Sequence, residues 1–193
     1  MRLRHNELNR YAFVIGLILT MTVGMASGWV RNNGHELLET IVYVGATTSA
    51  FMLYPERFRI TSTGGMLGAA GVVLGGFFFF LIYRHVRLEY ASPEALFGFL
   101  VLSALVIPVF EEKVVRQIML DGARKRIGPY AGSLLCSLLF AGSHHGARLV
   151  FLVAFFISLV LCAMAIKGVD TIQRSMFHGA YNLSLLAFEA FYK

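Results

Sequence analysis

Three short patterns hold the residues that could do chemistry: EEKVVR at 111–116, FAGSH at 140–144 and HGAYN at 178–182. They supply two carboxylates (Glu111, Glu112), a guanidinium (Arg116), two imidazoles (His144, His178) and an amide (Asn182). A carboxylate can take a proton from water. Fixed hydrogen-bond donors can hold the oxyanion that forms when that water attacks a carbonyl. The set therefore contains the parts needed to hydrolyse an amide.

Spacing divides the roles. Glu112 and Arg116 are four residues apart and can pair on one helix face. Adjacent residues on an α-helix diverge by about 100°, so Glu111 is expected to point away from Glu112 and stay available. His178 and Asn182 are again four apart and share a face. Each pattern also has an ordinary reading. A Glu–Arg pair can tie helices together, a lone histidine in a span can be a packing donor, and His144–His145 can form an interfacial turn. Against this, an ionisable side chain at the centre of a membrane helix costs roughly 2.5–3.5 kcal/mol, which makes three such clusters functional candidates.

The elements that must position them are read from apolar runs of about 20 residues, the length a bilayer core requires. Seven candidate spans result: 11–30, 37–54, 64–83, 95–120, 130–147, 149–166 and 171–191. The expected fold is an all-α, polytopic transmembrane bundle of six to eight spans, with the site between the last four. At ~1.5 Å per residue, Glu112 lies about 13 Å from the end of its span near Asp121. His178 lies about 10 Å from Thr171, Asn182 about 16 Å, and His144 about 21 Å from Tyr130. All approach the middle of a ~30 Å slab. The chain reads as one integral membrane domain over 1–193. Residues 1–94 form helices without motifs, and 95–191 form the core that carries them.

Composition supports a membrane protein. Of 193 residues, 57% are hydrophobic and 15% charged, and mean hydropathy is +0.67. A soluble domain is nearer 45–50% apolar. The net charge of +6 sits in short loops, so it is expected to set topology and not to bind nucleic acid. Ten of the 17 Lys and Arg fall on the side of the N-terminal tail, five opposite and two, Lys113 and Arg116, inside a span. This bias favours a cytoplasmic N-terminus in the cell membrane. The first apolar run is too long for a signal peptide and reads as a retained anchor. Cys136 and Cys162 lie in apolar runs without CxxC spacing and read as packing residues. The small residues of GGMLGAAGVVLGG recur at helical spacing and indicate close helix packing.

The ordered set EExxxR, FxxxH, HxxxN resembles the CPBP family, the type II CAAX prenyl proteases and bacterial Abi self-immunity proteins that act as glutamic intramembrane endopeptidases. The likeness covers about residues 95–190. It implies that Glu111 and His144 position and activate water, that Glu112 supports them with Arg116 as its partner, and that His178 and Asn182 form the oxyanion site. His145 is the fallback if the register slips. Two positions depart from the family pattern: Val115, where Phe is frequent, and Gln117, where a small residue is common. Neither removes a catalytic group.

The resemblance implies a metal-free hydrolase acting on a membrane-associated peptide or protein, with the bilayer as its other partner. A zinc protease using Glu111, His144 and His178 is the nearest alternative, although HELLE at 35–39 is not HExxH. A proton-coupled transporter or channel and a non-catalytic immunity or scaffold protein are the others. The GxSG and GxGD patterns of other intramembrane proteases are absent. The only aspartates, Asp121 and Asp170, fall in expected loops.

Overall fold

The computed structural model describes residues 2–33, 36–56, 62–81, 98, 100–144 and 148–192. All regular structure among them is helical, in seven helices: α1 (Arg2–Asn32), α2 (Glu36–Leu53), α3 (Ser62–Leu81), α4 (102–127), α5 (Pro129–Ser143), α6 (Arg148–Ile166) and α7 (Thr171–Tyr192). Each expected span corresponds to one helix. Residues 95–97 and His145 lie outside the described residues.

Three helical segments are long and apolar enough to cross a bilayer, Arg10–Val30, Thr63–Phe80 and Arg148–Ile166. Leu37–Leu53 and Pro129–Ser143 are shorter apolar helices. Helices α4 and α7 carry the polar patterns. Polarity is inverted relative to a water-soluble bundle. On α1, the side chains of Tyr11, Val14, Ile18, Met21, Met25 and Trp29 recur every three or four residues and all face outward. Meanwhile Glu112, Lys113, Arg116, Arg174 and His178 are buried. Outward apolar faces and inward charges are what a hydrocarbon solvent selects, and this is a membrane protein.

Helix α4 is the hub. It packs against α1, α2, α5, α6 and α7, while α3 lies along α7. It is not a uniform helix. Leu102–Val106 and Glu112–Met119 are widened turns with bonding five residues back, separated by the α-helical segment Ile107–Glu111 and followed by Leu120–Ile127. The Ile107 N–H reaches the Leu102 carbonyl, and the Leu120 N–H reaches that of Val115. The sequence contains a cause for the first. Pro108 has no N–H and its ring crowds the carbonyl four residues back. Widening the preceding turn relieves that contact.

Two boundaries differ from the sequence reading. DGARKR is not a loop. α4 runs on to Ile127, with Asp121 paired to Arg124 and Lys125 on its surface, and the turn is confined to Gly128 (φ 84°) before Pro129. The fifth helix stops at Ser143, so His144 terminates it instead of lying within it.

The glycine-rich helix does pack closely, as its spacing predicts. A Cβ added at Gly71 would lie 2.2 Å from the Phe177 carbonyl oxygen, and one at Gly75 would lie 2.5 Å from that of Tyr181. The obstacle is α7 backbone, which cannot swing aside. Gly71→Leu is expected to destabilise the detergent-solubilised protein by about 1–3 kcal/mol through overpacking. Gly65→Leu on the open face of the same helix should stay within about 0.5 kcal/mol. Thermal or denaturant unfolding of the two variants checks the contrast.

Candidate active site

The centre of the site is Glu112, whose side chain is fully buried. Its Oε2 accepts from Arg174 Nε at 3.1 Å. Its Oε1 accepts from His178 Nδ1 at 3.1 Å and lies 3.7 Å from Arg116 Nε. The expected Glu112–Arg116 pair is thus present, joined by a second guanidinium from α7. Arg116 in turn donates from Nη2 to Ser158 Oγ on α6 at 2.9 Å and lies 4.1 Å over the Phe140 ring of α5. Five polar or aromatic groups from three other helices therefore converge on one carboxylate and its partner.

Glu111 does not point away as an α-helical phase requires. Its Oε2 is 3.6 Å from His178 Nε2, the opposite ring nitrogen from the one Glu112 holds. Glu111 is the last residue before the widened turn Glu112–Met119. Such a turn holds more than 3.6 residues, so successive side chains diverge by less than the ~100° of an α-helix. Two adjacent carboxylates can then flank one imidazole. Glu111 retains 17% side-chain exposure where Glu112 has none.

The hairpin at Gly128 sets the third pattern in register. Arg116 and Phe140 are each twelve residues from that glycine, and at ~1.5 Å per residue this places both about 18 Å from the turn. The stacked Arg116–Phe140 contact is the result. His144 follows one turn later. Its ring centroid is 4.5 Å from that of Phe140, and its Nδ1 donates to the Phe140 carbonyl at 2.8 Å. This fixes Nε2 as its acceptor. The Phe140 ring also meets His178 edge-on, with centroids 5.9 Å apart, and so stands between the two imidazoles. No direct bond or ion pair joins Glu111 to His144 among the described residues. Asn182 donates from Nδ2 to the Ser103 carbonyl at 3.0 Å.

Several site residues escaped the sequence reading. Arg174 was counted there as a topology charge in the sixth loop. It lies inside α7, 3% exposed, and precedes His178 and Asn182 by four and eight residues on the same face. That spacing was the available signal. The preceding turn aims it: Gly168 (φ 83°) closes α6 with Gly168 N–H on the Ala165 carbonyl and Val169 N–H on that of Met164, a Schellman arrangement. Asp170 Oδ1 then accepts from the Gln173 N–H at 2.9 Å, capping α7. Arg174 Nη1 donates to the Val169 carbonyl, and its Nη2 to Thr171 Oγ1 at 3.2 Å.

Thr171 extends the network to the N-terminal half. Its hydroxyl donates to Glu56 Oε2 at 2.6 Å and its N–H to Glu56 Oε1 at 3.1 Å. Lys113 Nζ reaches Glu56 at 3.3 Å and Gln117 Oε1 at 2.7 Å, and lies 4.3 Å over the Phe51 ring. Gln117, the departure from the family pattern, thus has a partner of its own. Three carboxylates (Glu56, Glu111, Glu112) face three cations (Lys113, Arg116, Arg174), which balances the charge inside the bundle.

No three His, Cys, Asp or Glu side chains among the described residues come together as a possible metal site. Glu111, His144 and His178 do not converge that way. His178 Nδ1 is taken by Glu112 and His144 Nδ1 by the Phe140 carbonyl. The zinc alternative does not fit this geometry.

Removing one partner of a buried ion pair leaves an uncompensated charge and typically costs about 3–5 kcal/mol. Arg174→Met should lower stability on that scale. Adding Glu112→Gln should recover part of it, because the charge needing compensation is gone. Denaturant titrations of both single variants and the double variant measure the coupling.

The relation to known proteins follows the same residues. Residues 93–184 match the family model described as Type II CAAX prenyl endopeptidase Rce1-like. No curated protein and no solved structure matches the chain. The matched stretch contains Glu111, Glu112, Arg116, His144, Arg174, His178 and Asn182, and through it the chain belongs to the CAAX protease family, whose activity is peptide-bond hydrolysis in the membrane.

Proposed function

We propose that this protein is a glutamic endopeptidase that cleaves a membrane-associated peptide or protein with water activated by Glu111. The observation that carries the reading is the contrast between the two carboxylates. Glu112 is sealed and held by two guanidiniums and His178. Glu111, partly exposed, faces the other nitrogen of the same ring. One carboxylate holds the imidazole and the other is free to work.

A water touching Glu111 gives up a proton to that carboxylate, and the resulting hydroxyl attacks the scissile carbonyl. His144, its Nε2 left as acceptor, orients the water from the other side. Charge developing on the carbonyl oxygen is held by His178. In that role its ring carries both protons, Nδ1–H to Glu112 and Nε2–H to the oxyanion. As the tetrahedral intermediate collapses, the leaving amine takes the proton from Glu111. The family description points to a prenylated C-terminal CAAX segment as the substrate class. The reaction needs no metal in this scheme.

The topology that suits this reading is multi-pass in the cell membrane with a cytoplasmic N-terminus. Arg174 no longer counts toward the charge bias, which still stands at nine against five.

The test uses the full chain in liposomes and a fluorogenic farnesylated CAAX peptide. Glu111→Gln should lower kcat by about 10²–10⁴, the usual share of a general base, with an unchanged melting temperature. A zinc chelator should leave the wild-type rate intact. Undiminished hydrolysis by Glu111→Gln removes the proposed base. If the wild type leaves this peptide uncut, comparison of membrane proteomes from wild-type and Glu111→Gln cells identifies whether another precursor accumulates.

A further inference from the structure

Pro108 and Asn182 are unremarked partners across the α4–α7 contact. In the widened turn Leu102–Val106, the Ile107 N–H is spent on the Leu102 carbonyl. The next donor in that pattern, for the Ser103 carbonyl, would be the N–H of residue 108, and proline has none. The Ser103 carbonyl is therefore left without a donor in its own helix. Asn182 Nδ2 supplies one from α7 at 3.0 Å.

Residue 108 is also the α-helical partner of Ala104. That carbonyl meets α7 where a Cβ on Gly179 would lie only 2.0 Å from the Ala104 oxygen. Glycine alone lets the backbones approach this closely. One turn earlier, Ser175 Oγ lies 3.4 Å from the Pro108 carbonyl and donates to that of Thr171 at 2.8 Å. Residues 175, 179 and 182 form one face of α7, and this face takes up the kink. Within a bilayer core an unpaired carbonyl is costly, because no water replaces the lost donor.

We infer that Asn182 is a positioning residue and not an oxyanion donor. Its amide replaces the hydrogen-bond donor that Pro108 removes from α4. With Gly179 it locks α4 on α7 in the register that brings Glu111 and Glu112 to the two nitrogens of His178. This assigns Pro108 and Gly179 to the working geometry, although neither has reactive chemistry. The lock does not depend on which group takes the proton from water.

A double-mutant cycle separates the two roles of Asn182. Pro108→Ala restores an N–H at position 108. Asn182→Leu removes the amide with little change of volume. If Asn182 serves the orphaned carbonyl, Asn182→Leu should reduce kcat by about tenfold or more with KM little changed, and lower the melting temperature. In the Pro108→Ala background both effects should shrink to about twofold or less, a coupling within the range seen for contacting residues. A kcat loss of equal size in both backgrounds assigns Asn182 to the oxyanion and overturns the inference, whatever the melting temperature does. Gly179→Ala gives a second route: with every motif side chain retained, it should still reduce kcat, and an unaltered kcat would count against the lock. The melting-temperature cycle can be repeated in Glu111→Gln protein, so failure of the lock and failure of the proposed hydrolysis are read separately.

Discussion

A carboxylate with no access to solvent, Glu112, is the constraint around which this bundle is arranged. In hydrocarbon such a charge is tolerated only with partners. Its partners are themselves charged and need partners in turn. Arg116 leans on Ser158 and Phe140, and so fixes α6 and α5. Arg174 leans on Thr171 and the Val169 carbonyl, and Thr171 on Glu56. One buried anion thereby specifies the placement of most of the helices around α4. Buried ion pairs often add little net stability compared with a well-packed apolar core. Their value here lies in specification: few alternative packings could satisfy all of these groups at once.

The outer helices solve a different problem. Without a hydrophobic driving force between helices in lipid, association depends on close packing of small residues. Gly71 and Gly75 on α3 let that helix rest directly on the α7 backbone. α7 is therefore gripped from two sides, by glycine contacts toward α3 and by the polar network and the Pro108 kink toward α4. A catalytic imidazole on such a helix has little freedom to drift from its carboxylates, which is the preorganisation that charge stabilisation in a reaction requires.

Much of this was legible in the chain. Run lengths marked the helices, and the spacing within EEKVVR correctly paired Glu112 with Arg116. The separation of Glu111 from Glu112 failed because it assumed a 3.6-residue period, whereas the helix widens after Glu111. Pro108 marked α4 as irregular, but it does not reveal where the second widened turn falls. Arg174 was misread because basic residues near the end of an apolar run usually belong to loops. Only the identity of its buried partner distinguishes this one. Glu56 could not have been found by spacing at all, since its contact with Thr171 spans 115 positions. His144 was correctly placed near the others, although it terminates α5 and does not sit within it.

The widened turns also bear on how such a chain can change over evolutionary time. A turn closed five residues back holds one residue more than an α-helical turn. Deleting a single residue between 102 and 106 would let α4 return to regular pitch and would swing the following side chains by about 100°. Both glutamates would then leave α7, and two charges would be carried toward lipid. Descendants of this sequence that retain the site should accept substitutions in that stretch far more readily than insertions or gaps.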